Sequence, residues 1–216
     1  MKIKKKSSLF SLFVFFMVLV IAFLFATIIN NVFIKTNLNN KKSINKGNIS
    51  YDKASYVALQ CGIYKNKDSI PNVQKSLSDY GNSFVVQSDG NNKVILGIYN
   101  KPDGDKLQST LKKNGVDNIE KNFNFAERDT CDKEIVEMIN ADITILNKLS
   151  DKNVMGVQTK EIKKWVNSLQ KVDSKSKNYK IFMQLEKYIQ SLPEEITKDK
   201  AAENYTFLYN LLNNMK

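Results

Sequence analysis

The sequence predicts an α+β protein, in which a four-stranded antiparallel sheet of βαββαβ order carries two helices on one face. An N-terminal transmembrane helix precedes this sheet and a C-terminal helical bundle follows it. Three observations lead to this fold class. First, residues 9–29 carry no charge. Second, apolar residues recur at every second position in segments of residues 56–125. Third, apolar residues recur every three or four positions in residues 126–216.

The first 55 residues predict a membrane anchor and a polar linker. The uncharged run of about 21 residues is long enough to cross the hydrocarbon core as a helix, and we place the transmembrane helix at residues 9–34. Lysines in the basic tail, residues 1–8, predict a cytoplasmic N-terminus, and therefore a single-pass protein of the cell membrane with extracytoplasmic C-terminal domains. Residues 35–55 are rich in Asn, Lys and Ser and predict a linker. A cleaved signal peptide is the alternative, but the run exceeds a typical h-region and no small-residue cleavage site follows it.

The distribution of charge and the lack of histidine exclude several classes of function. Residues 1–55 hold nine Lys and one Asp (+8), residues 56–124 nine Lys and seven acids (+2), and residues 125–216 fifteen Lys or Arg and fourteen acids (+1). Because nucleic-acid-binding domains concentrate positive charge where they contact phosphate, we expect no nucleic-acid partner. A chain without histidine has no Ser-His-Asp or Cys-His nucleophile and no His-ligated zinc. We therefore expect no enzyme activity, no catalytic residue, no metal site and no cofactor.

The first half of the sheet is predicted in residues 56–88. Apolar and other residues alternate along YVALQCGIY at residues 56–64, which is the pattern of a strand with two different faces. Residues 68–80 have apolar residues at helical spacing, with Pro71 in the first turn and Gly81 just beyond the end. Residues 83–88 predict a second strand, and the SDGNN segment after it predicts a turn.

The second half repeats this order. Residues 93–99 predict a strand, residues 102–114 a helix with Gly115 as its cap, and residues 116–125 a closing strand. In this ferredoxin-like or RRM-like topology both helices cover one face of the sheet, so we expect the other face to be open to a ligand.

Two phrases in the first and third predicted strands resemble the SPOR (sporulation-related repeat) family. The family has roughly V-Q-x-G-x-F in its first strand and R-V-x-x-G-x-F in its third, and this chain has LQCGIY at residues 59–64 and KVILGIY at residues 93–99. SPOR domains bind peptidoglycan glycan strands that have lost their stem peptides and that accumulate at division septa. The resemblance therefore implies a membrane-anchored protein that binds such glycan at the division or sporulation septum. The glycan-binding residues that it implies are Gln60, Ile63, Lys93, Ile95 and Ile119.

These residue types suit an uncharged sugar ligand, which offers hydrogen bonds and apolar ring faces. The Gln60 amide both donates and accepts hydrogen bonds. The resemblance makes Lys93 the counterpart of the third-strand Arg and Ile119 an apolar contact from the last strand. Some family members have a second cysteine in the last strand, but Asn118 stands at that position here, so the resemblance leaves Cys61 as a core residue. We expect Cys61 and Cys131 to be unpaired.

Residues 126–216 predict about four amphipathic helices in a small bundle, packed on itself or on the helices of the sheet domain. Their function is not predicted, and divisome or sporulation proteins are their candidate partners. Glu194 and Glu195 follow Pro193, and we interpret them as acids at a helix start that favour the helix dipole rather than as a catalytic pair.

Other functions stay open. An RRM-like nucleic-acid-binding module shares the βαββαβ order and also uses an open sheet with aromatic residues, although the predicted anchor and the near-neutral sheet domain argue against RNA. A protein–protein scaffold acting through the C-terminal helices is a second alternative. An enzyme is the third, and the sequence lacks the catalytic groups that it would need.

Overall fold

The structure is a computed structural model that describes residues 52–215. The predicted basic tail, the transmembrane helix and residues 35–51 of the predicted linker lie outside the described residues. Between residues 52 and 215, no helix is both long enough and apolar enough to cross a bilayer. The elements in chain order are β1 (Asp52–Tyr64), α1 (Ile70–Leu77), β2 (Ser83–Ser88), β3 (Asn91–Asn100), α2 (Lys101–Lys113), β4 (Ile119–Glu127), α3 (Thr130–Lys148), β5 (Gly156–Gln158), α4 (Lys160–Asn167), α5 (Tyr179–Ser191), β6 (Glu195–Thr197) and α6 (Lys198–Asn214).

The four longer strands form one antiparallel sheet in the order β2-β3-β1-β4. With α1 and α2 in the connections, this is the predicted βαββαβ order, so this part of the fold is confirmed. The sheet begins earlier than predicted. Residues 52–55 were assigned to the linker, but they extend β1 because they pair with the end of β4, where Ala54 lies opposite Phe125.

The hairpin that joins β2 to β3 follows directly from its turn residues. Asp89 has φ of 54° and Gly90 has φ of 71°. Positive φ at both central residues defines the two-residue turn that matches the twist of paired strands, and Asp-Gly is a favoured sequence for it. The turn predicted at SDGNN is therefore confirmed.

The repeated Gly-Ile-Tyr phrase has the same packing reason in β1 and β3. A Cβ atom added to Gly62 would lie 2.5 Å from the ring of Tyr64, and one added to Gly97 would collide with the ring of Tyr99. Each tyrosine ring therefore occupies the space that a side chain at the glycine two positions earlier would need. Gly97 also has φ of 66°, a conformation that residues with a side chain rarely adopt.

One core lies between the sheet and the helices α1 and α2, as predicted. It contains Val57, Leu59, Ile70, Leu77, Val94, Leu96, Tyr99 and Leu111. Helix α2 approaches β1 so closely that a Cβ atom on Gly104 would collide with the Val57 side chain. This face of the sheet is therefore closed by tight packing.

The opposite face of the sheet, which was predicted to be open, is covered by the C-terminal helices. Helix α3 packs against β3 and β4, and α6 packs against β2 and β3. The prediction of an open face is wrong, and so is the expectation that the bundle packs only on itself or on α1 and α2. Residues 56–125 and 126–216, which were assigned to two domains, share one core. The sheet residues in it are Tyr56, Ala58, Phe84, Val86, Ile95, Ile98, Phe123 and Phe125.

Aromatic stacking and hydrogen bonds join the two covering helices to the sheet. The Phe84 ring stacks on Tyr205 with centroids 5.2 Å apart, and it meets Tyr209 edge-on at 6.1 Å. Asn147 of α3 donates a hydrogen bond to the Ile98 carbonyl and accepts one from the Tyr205 hydroxyl. One side chain thus connects β3, α3 and α6.

The four predicted C-terminal helices are confirmed as α3 to α6. The small antiparallel pair β5–β6 was not predicted. Glu195 lies in β6, and the next helix begins only at Lys198. The interpretation of Glu194 and Glu195 as residues at a helix start is therefore wrong.

Candidate functional site

The five residues that the family resemblance assigns to glycan binding lie on one face of the sheet, the face that α3 and α6 cover. Gln60 of β1 lies opposite Ile95 on one side and Ile119 on the other, and Ile63 lies opposite Lys93. Directly opposed residues of neighbouring strands point to the same face. Ile95 belongs to the covered core, so the whole set shares its face.

A β-bulge brings Ile63 to this face. The β1–β3 register shifts at Cys61, so that one extra residue lies in β1. Without the bulge, strict alternation would place Ile63 on the same face as Leu59, against α1 and α2. Ile63 instead pairs with Lys93, which also lies opposite Val86 of the covered core.

The covering helices bury the inner part of this set. Ile95 has no exposed surface, and Gln60 is 9% exposed. Ile95 was predicted to contact glycan, but its position opposite Phe84, whose ring is stacked on Tyr205, makes it a core residue. Only a small part of Gln60 remains exposed beside the covering helices.

The outer part of the set remains accessible. Ile63 is 53% exposed and Ile119 is 60% exposed, although large aliphatic side chains are usually buried. The Lys93 side chain is 23% exposed, and its ammonium group lies 3.8 Å from the carboxylate of Asp89. We call Ile63, Lys93, Ile119 and the exposed margin of Gln60 the uncovered sheet end.

The aromatic residues of the same face are not accessible. Tyr56, Phe84, Phe123 and Phe125 all lie in the core under α3 and α6. An RRM-like module stacks bases on exposed aromatic rings of its sheet. These four side chains offer no such platform.

A second candidate surface, which the sequence analysis missed, is a cleft between β4 and the end of α6. Its volume is about 230 Å³. We call it the β4–α6 cleft, and its lining residues are Tyr56, Lys121, Asn122, Phe123, Asn124, Phe125, Leu212, Asn213 and Met215. The run KNFNF at residues 121–125 is the sequence signal for it, because it sets amides, rings and a lysine along one edge strand.

Lys121 is the charged group of the β4–α6 cleft. Its ammonium donates hydrogen bonds to the Tyr209 hydroxyl, at 3.1 Å, and to the side-chain oxygen of Asn213. It also lies 4.7 Å from the centroid of the Tyr209 ring and 5.4 Å from that of Phe123. Contacts from β4 and from α6 together therefore fix the position of this charge.

No carboxylate is paired with the Lys121 ammonium among the ion pairs of residues 52–215. The neighbouring Glu120 points to the other face of β4, where its carboxylate lies 2.8 Å from the Lys101 ammonium. The β4–α6 cleft therefore holds a fixed positive charge that rings and amides contact.

The two cysteines lie on opposite faces of the sheet. Cys61 packs at the core beneath α1 and α2, and Cys131, in the first turn of α3, lies in the core on the covered face. Both thiols are free. Burial raises the pKa of each to about 11, so both are protonated and weakly nucleophilic at neutral pH.

Comparison with known proteins gives one structural likeness. No protein-family model matches the chain, and no curated protein sequence matches it. The solution structure of the peptidoglycan binding domain of the B. subtilis cell wall lytic enzyme CwlC is similar at 26% sequence identity, over 37% of this chain and 98% of that chain, with a TM-score of 0.27. A TM-score of this size does not establish a shared fold.

Proposed function

We propose that this protein binds peptidoglycan glycan strands from which the stem peptides have been removed, and that it does so through the uncovered sheet end. The observation that carries the proposal is the position of the two SPOR-like phrases. They lie on the neighbouring antiparallel strands β1 and β3 of a βαββαβ sheet, and the residues that they assign to glycan converge on one face.

The chemistry of the uncovered sheet end supports this choice of ligand. Ile63 and Ile119 present apolar surface on which a sugar ring can lie, and the Lys93 ammonium supplies hydrogen-bond donors. Gln60, which is 9% exposed, lies directly beside Ile119. A glycan strand is long and continuous, so an open surface at the end of a sheet suits it better than an enclosed pocket.

The wider setting of the proposal depends on the N-terminal sequence. The uncharged run at residues 9–29 and the lysines before it support a single-pass anchor in the cell membrane with residues 52–215 outside the cytoplasm, where peptidoglycan lies. We propose a role at the septum during division or sporulation. Partner proteins of that machinery would contact the outward surfaces of the C-terminal region, where Met155 and Met183 are exposed, because the inward faces of α3 and α6 pack on the sheet.

The test is cosedimentation of the full-length chain, kept soluble in mild detergent, with insoluble peptidoglycan. We expect binding to amidase-treated peptidoglycan and much weaker binding to untreated peptidoglycan. The double variant Ile63→Ser/Ile119→Ser should lose binding without unfolding, because both side chains are more than half exposed. Met155→Ser, which changes an exposed apolar residue elsewhere, is the matched control. Equal sedimentation of the double variant and the control would remove the uncovered sheet end as the binding surface.

A further inference from the structure

We propose that the β4–α6 cleft binds a carboxylated N-acetyl amino sugar, and that Lys121 recognises its carboxylate. The inference rests on the proposed function, since it names one sugar of the same glycan strand and a second part of the binding surface. It also gives a reason why strands without stem peptides would be preferred.

The cleft has the right composition for a sugar with an acidic substituent. Its lining includes Asn213, which carries an amide, Met215, and the largely buried rings of Tyr56, Phe123 and Phe125, each at most 9% exposed. Its volume of about 230 Å³ is below the range of pockets that hold whole drug-sized ligands, so one sugar residue would enter rather than the strand.

Lys121 is positioned to contact an incoming anion. Its ammonium has three N–H donors, of which the Tyr209 hydroxyl and the Asn213 oxygen use two, and the side chain extends from β4 to α6 at the cleft. Both present acceptors are neutral, so a carboxylate would be the first acceptor of opposite charge to this ammonium.

The end of α6 gives Lys121 a structural role as well. Asn213 lies in the last turn of the helix, where a positive charge is favourable. That role explains why a cation stands there. It predicts no preference between charged and neutral ligands, so the two roles give different results in a binding experiment.

The cleft is continuous with the uncovered sheet end. Lys121 follows Ile119 by two residues in β4, and side chains two positions apart lie on one face at roughly 7 Å. A strand that contacts Ile119 and continues along β4 would therefore reach Lys121 and the cleft beside it.

The chemistry of the glycan identifies the anion. N-acetylmuramic acid carries a lactyl group whose carboxyl is joined to the stem peptide through an amide in intact peptidoglycan. Removal of the peptide frees that carboxyl as an anion. A fixed ammonium that contacts the lactyl position would thus favour strands without peptides over strands that carry them.

The experiment compares two forms of one ligand with the full-length chain in detergent. Soluble strands prepared by amidase treatment are used directly, or after their lactyl carboxylates have been converted to methylamides. We expect the wild-type protein to bind the carboxylate form roughly tenfold more tightly, which corresponds to one charge-assisted hydrogen bond. Lys121→Met should bind both forms equally, while Lys121→Arg and the control Lys106→Met, at an exposed position of α2, should keep the preference.

Each outcome decides between the claims. Equal binding of both ligand forms by the wild-type protein, or a preference that survives Lys121→Met, would overturn this inference and leave the proposed function intact. No binding of either form, together with no cosedimentation with amidase-treated peptidoglycan, would overturn the proposed function itself. If Lys121→Met loses its folded structure, Lys121→Gln serves as the neutral variant, and equal binding of the two ligand forms by the wild-type protein still overturns the inference.

Discussion

Replacement of Asp142 by asparagine should remove a large pH-dependent cost to stability. Asp142 lies in the middle of α3 with no exposed surface, and neither of its carboxylate oxygens has a hydrogen-bond partner. Burial raises the pKa of Asp142 from 3.8 to about 7. The titratable groups facing it are Tyr188 of α5 and Tyr205 of α6. Burial and the Asp142 carboxylate raise the pKa of each tyrosine, and the Glu203 carboxylate also raises the pKa of Tyr188. Both tyrosines therefore stay neutral near pH 7.

The size and sign of the effect follow from the two pKa values. The folded protein holds the Asp142 proton more tightly than the unfolded chain, so stability is full below the unfolded value of 3.8 and falls as pH rises towards the folded value of about 7. A separation of about three pH units corresponds to roughly 4 kcal/mol. Above pH 7 the cost stays constant, because both states are then ionised.

The assay is urea unfolding of the full-length chain in detergent at several pH values, followed by the fluorescence of Trp165, the single tryptophan. Asp142→Asn should match the wild type near pH 4 and exceed it by up to about 4 kcal/mol at pH 8. Asp117→Asn, at an exposed position, controls for the loss of one negative charge. A difference between Asp142→Asn and wild type that is the same at pH 4 and pH 8 would refute the reasoning.

Two further substitutions test the packing on each face of the sheet. Gly104→Ala should lower the free energy of unfolding by about 1–3 kcal/mol, because the new methyl group collides with the buried Val57. An unchanged free energy in urea unfolding would show that α2 lies farther from β1. Phe84→Ala should cost about 3–5 kcal/mol, because the ring is buried and stacked on Tyr205 of α6, whereas Ile63→Ser should cost little. Similar midpoints for these two variants would contradict the covering of this face by α6.

Much of the sheet could be predicted because its determinants are local. Alternation in residues 56–64, the Asp89-Gly90 turn and the glycine after α2 act within a few residues. The bulge at Cys61 could not be predicted in this way, since nothing in the alternation of β1 marks an extra residue. Ile63 lies on the predicted binding face only because of that bulge.

The covered face was missed because periodicity shows which side of a helix is apolar and not what packs against it. The sequence did contain a signal, in the run VILGIY at residues 94–99 of β3. A continuous apolar run is typical of a strand buried on both faces. Val94 and Leu96 pack beneath α1 and α2, whereas Ile95 and Ile98 pack beneath the C-terminal helices.

The candidate site was only partly predictable for the same reason. The family resemblance placed Gln60, Lys93 and Ile119 on one face, and the register of the strands brings them together. Their accessibility depends on where α3 and α6 end, which is a long-range property. Lys121 was missed because its partners Tyr209 and Asn213 are 88 and 92 residues away in the sequence.

Chemical-shift mapping of the isotopically labelled full-length chain in detergent, titrated with soluble glycan strands lacking stem peptides, tests the central claim most directly. We expect the amide signals of Ile63, Lys93 and Ile119 to shift with added glycan, while the signals of Phe84 and Tyr205 stay in place because α6 remains packed on the sheet. Large shifts at Phe84 and Tyr205 would show that the covering helices move away on binding. Unchanged signals at Ile63 and Ile119 at saturating glycan would contradict binding at the uncovered sheet end.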